Sequence, residues 1–539
     1  MKALKIMFFL IVSVLVVDAF IAKFFFNLSL ILPGASLALF AVSFVFIRRR
    51  KKKVSPTQGW VLGQAFELSD PNHPVMVKNA MISKKTLNLG VIALGAQGSG
   101  KTESVVMGQL KAVKGYSPNS GFALFDGKGD IDTYKKFVVM GEKPDFIFSS
   151  ELPGSDSINL LSGEPSDVLD RLTHLLIGKT ASTDFYLNDQ RAVLSRIIPL
   201  LLKLNIPVNL RDLYVVLAVP EAGYELVRSA KALQLDPAAV RLAETWFNAP
   251  VKDRLKNIAG MLTRLMIFIT GPHADRLNCY QADIDIQEIV EKGKTFYAHL
   301  PLSEFSKDVA VALIDMFEVV ATKRQLSGTD NLSVYPLFFD DWSGFFHEGF
   351  APFSARCRSA EMPLSFGFQS TAHLEAVNHT FLSALDDTLA TKIVMRTQGN
   401  TTAVFVQKLL CDYEVADITQ SDSVVRGETM SIRKEARIDP RDLRELSPGQ
   451  AYISTLVEEG GKTKNPLWKV HLKRPDFTGW QDVKLPQAQV HEEGQGLGFW
   501  GKYMAGGDRK SLDVSIKEVL EQKAALKLVD FLAGEKKNS

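Results

Sequence analysis

The chain has 539 residues, 46% of them hydrophobic and 23% charged, with a net charge of +3. That balance suits a globular protein of roughly two to four domains with some membrane content, and argues against a disordered chain. Three cysteines, Cys279, Cys357 and Cys411, stand far apart and the nine histidines form no HExxH-like group, which argues against a disulfide framework or a zinc site and suits a reducing compartment.

In chain order, the first elements are two apolar stretches, residues 3–22 and 28–47, each about 20 residues and so long enough to span a bilayer. Six consecutive basic residues follow at 48–53, and Lys2 and Lys5 precede the first stretch, which places both ends in the cytosol by the positive-inside rule. The expectation is a helical hairpin with a very short outer loop; a cleaved signal peptide is the rival for the first stretch. Residues 1–53 carry nine Lys/Arg against Asp18 alone, so with +3 overall the other 486 residues carry −5. Any nucleic-acid contact of the cytosolic part is therefore local, in a channel for example, and not a broad basic face.

Residues 54–88 read as short strands and turns leading into a buried strand at 89–94. Directly after it comes GAQGSGKT, the residues Gly95, Ala96, Gln97, Gly98, Ser99, Gly100, Lys101 and Thr102. This is a complete GxxxxGK[ST] phosphate loop between a strand and a helix-like run at 103–113. Its glycines let successive N–H groups face phosphates, Lys101 adds a cation near the β/γ oxygens, and Thr102 offers a hydroxyl to Mg²⁺. The expected ligands are ATP and Mg²⁺.

A second strand at 121–126 ends in FDGKGD. From about 164 to 293 the apolar spacing turns helical, over 168–176, 192–204, 210–217, 221–233, 237–246 and 251–269. Strand 295–300, helix 308–324 and strand 332–341 then resume an α/β alternation, which implies a parallel sheet. The last strand ends in Asp340-Asp341, the form of a Walker B strand. Asp340 would hold the Mg²⁺ shell and Asp341 would orient the attacking water; a plain cap of the following turn is the alternative for Asp341. A strand at 362–368 ends in Gln369, placed to sense a γ-phosphate, with a helix cap by Ser370 or Thr371 as the alternative. Further strands are expected at 390–397 and 403–405. Residues 486–501 read as a Gln/Gly-rich linker carrying an exposed aromatic pair, Phe499 and Trp500. An amphipathic helix follows over 512–529, packed on its own domain or docking a partner.

Taken in order, GAQGSGKT, FDGKGD, the helical insertion, FFDD, CRSAEMPLSFGFQST, TKIVMRT and DPRDLRELSPGQAYI, over roughly residues 85–475, resemble the coupling proteins of type IV secretion and bacterial conjugation. The resemblance implies a RecA-like P-loop NTPase with an all-helical insertion, forming homo-hexamers around a channel in the bacterial inner membrane, with its bulk cytoplasmic. It also implies that Arg358 is offered in trans to a neighbour's nucleotide. The expected division is 1–53 membrane hairpin, 54–163 and 294–480 nucleotide-binding domain, 164–293 helical insertion, and 481–539 linker and tail. Expected partners are other secretion-system subunits and DNA, nucleoprotein or protein cargo. Two departures stand out: Asp341 replaces the family's usual Glu, and the outer loop is short. Asp341 keeps open a nucleotide-binding receptor or scaffold with little hydrolysis, while the short loop implies reduced contacts with an outer channel; a septal-type DNA pump is the third reading.

Overall fold

The computed structural model describes residues 59–504 apart from 69–72, 178–184, 272, 328–331, 346–349, 370–387, 400–401, 405, 407–409, 411, 421–427, 460 and 488–497, and beyond 504 only residues 517, 520 and 521. The two apolar stretches at 3–22 and 28–47 and most of the expected tail helix lie outside the described residues. Among the described residues no helix is long and apolar enough to cross a membrane.

The chain opens with an antiparallel pair, β1 (Gly59–Glu67) and β2 (Val75–Ser83), and one helical turn, α1 (Lys84–Leu87), capped by the Ser83 hydroxyl. β3 (Val91–Leu94) leads through the glycine-rich loop into a π-helical turn, Lys101–Val106, and then α2 (Met107–Tyr116). β4 (Phe122–Asp126), α3 (Ile131–Val139) and β5 (Phe146–Ser149) follow, with α3 capped by the Asp130 carboxylate.

Between β5 and β6 the described residues form helices: α4 (Pro165–Leu176), α5 (Phe185–Leu202), α6 (Leu210–Ala218), α7 (Pro220–Ala232), α8 (Pro237–Phe247), α9 (Val251–Thr270), and the short α10 (Ala274–Leu277) and α11 (Ile286–Glu291). Their starts are written locally. Proline stands at the first turn of α4, α7 and α8, where its missing N–H costs nothing, and Asn209 and Asp212 form a reciprocal capping box on α6.

The alternation resumes with β6 (Thr295–His299), α12 (Glu304–Leu326), β7 (Leu337–Asp340), α13 (Phe350–Ser359), β8 (Leu364–Phe368) and β9 (Thr391–Val394). A hairpin of β10 (Asp412–Gln420) and β11 (Glu428–Ala436), then α14 (Pro440–Glu445), precede β12 (Gln450–Ser454). A small hairpin, β13 (Val457–Glu459) with β14 (Lys462–Lys464), leads to β15 (Leu467–His471), and α15 (Gly498–Tyr503) closes the described chain.

Eleven strands make one mixed sheet in the order β2-β1-β15-β12-β9-β3-β8-β7-β4-β6-β5. The run from β9 to β5 is parallel, and β12, β15, β1 and β2 extend it antiparallel. Parallel strands are buried on both faces, and the core shows this residue by residue. Phe125, Phe296 and Phe339 face one side with Phe317 of α12, while Phe122, Tyr297 and Phe338 face the other with Phe137 of α3. The helices of 165–291 belong to the first of these cores.

Three expectations differ. Residues 402–404 are helical, not a strand, with the Ala403 N–H donating to the Gly399 carbonyl in the i−4 pattern. The strand expected over 332–341 is regular only at Leu337–Asp340, because Pro336 has no N–H for the ladder. The segment read as a linker with an exposed aromatic pair is instead anchored: Phe499 is fully buried and Gly498–Tyr503 packs on α6. The Trp500 N–H donates to Asp212 Oδ1 at 2.9 Å, while the Lys502 ammonium and the Tyr503 hydroxyl each reach the buried Glu225 at 2.5 Å. Periodicity missed this because the partners lie more than 270 residues away.

Candidate functional site

The site forms where β3, β8, β7 and β4 end, the carboxyl edge at which open α/β sheets bind ligands. Gly98 and Gly100 take φ of +73° and +91°, backbone that side-chain-bearing residues rarely adopt. The first turn after the loop is π-helical, a distortion frequent at functional sites. Lys101, 5% exposed, runs over Gly367 of β8, where an added Cβ would stand 3.1 Å from its Cδ and Cε. Its ammonium lies 2.8 Å from Asp341 Oδ1 and donates to the Gly95 carbonyl at 3.2 Å.

The two acids of β7 differ in kind. Asp340 is buried; its Oδ2 accepts from the Thr102 hydroxyl at 2.5 Å, and its Oδ1 is buried without a partner. Burial, reinforced by the Asp341 charge and opposed by Lys101 and Thr102, pushes its carboxyl up to about 6. Asp341 sits in the left-handed region at φ +48°, ψ +42°, and makes no side-chain cap to the turn after it. Its Oδ1 instead receives Lys101 and the Gln369 amide, the latter at 3.1 Å. The plain-cap alternative for Asp341 therefore fails. The Gln369 N–H donates to Ser343 Oγ at 3.3 Å, which fixes the residue beside β7.

Sequence reasoning missed several groups. The cleft, about 330 Å³, is lined by the loop, Asp341 and Gln369, and also by Glu103, Lys128, Asp130, Thr133, Lys136, Pro448 and Arg474. Asp126, the register partner of Asp340, is wholly buried: Oδ1 accepts the N–H groups of Lys128 and Gly129, Oδ2 the Tyr297 hydroxyl. Burial and the adjacent Asp340 push it up to about 7. It shapes the turn that carries Lys128 and Asp130 into the cleft. The FDGKGD string was the visible signal for that turn; Lys136 and Arg474 had none, since each reaches Glu103 from a distant segment. The loop is braced from the far end of the chain as well, for the Gly449 N–H donates to the Ser99 carbonyl at 2.9 Å.

A glycine-rich phosphate loop, a buried acid bonded to its threonine, and a second acid shared by its lysine and a glutamine from the next strand form the arrangement of a P-loop NTPase. No protein-family model matches the chain. In sequence it is 20% identical over 437 residues to the type 4 coupling protein DotL of Legionella pneumophila, over 67% of this chain and 55% of that one. The chain resembles the type IV coupling proteins. It spans about half the length of that curated relative. Among solved structures, the plasmid coupling protein TrwB in complex with the non-hydrolysable ATP analogue ADPNP superposes with a TM-score of 0.50 at 15% identity, covering 75% of this chain and 89% of TrwB. A further TrwB structure, in complex with ADP and Mg²⁺, gives a TM-score of 0.48 at 15% identity, covering 74% and 88%. At this identity the likeness to the coupling-protein structures concerns the fold, an α/β sheet with a P-loop.

Of the residues expected at the site, Gly95 to Thr102, Asp340, Asp341 and Gln369 come together. Arg358 does not join them. It is exposed near the end of α13, outside the cleft of its own chain. Ser370 and Thr371 lie outside the described residues.

Proposed function

We propose that this chain is an inner-membrane coupling ATPase that recruits DNA, nucleoprotein or protein to a type IV secretion or conjugation channel and couples ATP hydrolysis to transfer. The observation that carries the reading is the convergence of Lys101, Thr102, Asp340, Asp341 and Gln369, from three separate segments, on one cleft. ATP is the nucleotide, as in the TrwB complex with an ATP analogue. Thr102 and Asp340 fit a Mg²⁺ ion, since Asp340 keeps a buried oxygen without a partner. Mg²⁺ held there would neutralise charge between the β- and γ-phosphates.

The chain's own groups then divide the work. The loop N–H groups and Lys101 bind phosphate, Asp341 orients and polarises the attacking water, and Gln369 links that acid to the γ-phosphate. Lys101 can serve either Asp341 or a phosphate, so binding that draws it toward the nucleotide releases the carboxylate for water. Arg358, exposed on α13, acts on a neighbouring subunit's nucleotide in a homo-hexamer. Residues 1–53 anchor the assembly in the inner membrane, and the bulk of the chain is cytoplasmic.

One observation favours a second reading, a nucleotide-binding receptor that hydrolyses slowly: Asp341 is a short acid already engaged by Lys101 and Gln369. ATPase turnover of the full chain in liposomes, with and without DNA, decides between them. DNA- or cargo-stimulated turnover lost in Lys101→Ala supports the motor; nucleotide binding with no turnover above that variant supports the receptor.

A further inference from the structure

The phosphate loop, Asp341 and Gln369 account for one end of the cleft. The other end is lined by Glu103, Thr133, Lys136, Pro448 and Arg474, and the reading above gives these residues no role. Glu103 follows the Mg²⁺-ligand candidate Thr102 directly, so a nucleotide whose phosphates occupy the loop carries its ribose and base past it. The Glu103 carboxylate is held from two sides, by the Lys136 ammonium at 2.8 Å on Oε1 and by the Arg474 guanidinium at 2.7 Å on Oε2. Lys136 is itself fixed, lying 5.0 Å over the Trp480 ring. Arg474 is not fixed in this way: its side chain is 65% exposed, and Pro448 presents a rigid apolar ring in the same cleft.

We propose that this end of the cleft is a nucleoside clamp, in which Arg474 lays its guanidinium against the purine base with Pro448 bordering it, and Glu103 accepts hydrogen bonds from the ribose hydroxyls. The chemistry is specific. A guanidinium is planar and can lie flat along an aromatic face, which a tetrahedral ammonium cannot, and a carboxylate has two oxygens to accept the paired donors of a cis-diol. A second consequence is positional. Arg474 begins the segment that carries Trp480 and then Pro486, which packs at Gly154, before reaching α15.

This inference rests on reading the cleft as a nucleotide site, and the test separates the two. Binding of ATP, 2′-deoxy-ATP and inorganic tripolyphosphate, each with Mg²⁺, is measured on the full chain in detergent by displacement of a fluorescent nucleotide. Arg474→Ala is expected to weaken ATP about tenfold and leave tripolyphosphate unchanged, with Arg474→Lys nearly as weak as alanine. Glu103→Gln is expected to erase the preference for ATP over 2′-deoxy-ATP. If Arg474→Ala weakens ATP and tripolyphosphate alike, or neither, the clamp is overturned while the nucleotide site stands. Should Lys101→Ala leave all three ligands bound as in the wild type, the nucleotide reading itself falls and takes the clamp with it.

Discussion

Asp341 carries the sharpest contrast between what a residue is and where it is put. A non-glycine residue in the left-handed region is uncommon and collects at functional sites, and Asp and Asn tolerate it best. The conformation turns the carboxylate back toward Lys101 and Gln369 instead of forward along the turn. Asn is therefore the substitution that keeps the backbone and removes the charge. Asp341→Asn is expected to hold ATP at least as tightly, because Lys101 loses its competing partner, and to lower turnover about a hundredfold or more. Measured ATPase equal to the wild type would show that some other group activates water. Asp341→Glu lengthens the acid by one methylene but meets a backbone penalty at φ +48°, so a rise in turnover would have to overcome strain first. Lys101→Ala is expected to abolish hydrolysis while leaving the fold intact, since the lysine's charge serves the cleft and its stem crosses Gly367 without entering a hydrophobic core; a lower thermal midpoint together with lost nucleotide binding would reassign it to structure.

At the scale of elements, the helical spacing placed α6 to α9 within a residue or two of their observed limits, because proline starts and capping residues are local signals. The phosphate loop and the Asp340-Asp341 pair were equally legible, being short strings whose chemistry is in the string. What was not legible depends on contacts across hundreds of residues. The composition of 486–501 says linker, yet Phe499 is buried and the Lys502 ammonium and Tyr503 hydroxyl both donate to Glu225, buried in α7. Arg474 and Pro448 in the cleft are invisible for the same reason. The docking of α15 has a measurable strength. Phe499→Ala removes a fully buried ring, a change that costs about 3–5 kcal/mol. Limited proteolysis is expected to cut this variant between 481 and 504 well before the wild type; an unchanged cleavage pattern would mean the ring contributes little to docking.

Over the whole molecule two buried acids set a pH trend. Asp126 and Asp212 are pushed from 3.8 up to about 7, chiefly by burial. The folded chain therefore keeps protons that the unfolded chain releases above about 4. The stability tied to these neutral carboxyls is complete below that value and is lost as pH rises through 7. Without nucleotide or Mg²⁺, the thermal midpoint is expected to fall between pH 5.5 and 8; a flat or rising midpoint would contradict the assignment.

Arg358→Ala is expected to cut hydrolysis by about a thousandfold or more with ATP binding retained, and mixing it with Lys101→Ala subunits should restore part of the activity at interfaces that pair an intact cleft with an intact arginine. No recovery would leave the arginine without a role in trans.

The path of the chain from β15 to α15 bears on how the helices of 165–291 are held. They leave and rejoin the sheet at the neighbouring strands β5 and β6 and share one hydrophobic core with it. α15 packs on α6, while Trp480 lies under the Lys136 ammonium and Pro486 against Gly154. A chain that has already completed the sheet thus returns to brace the inserted helices, a third attachment besides the two strands that carry them.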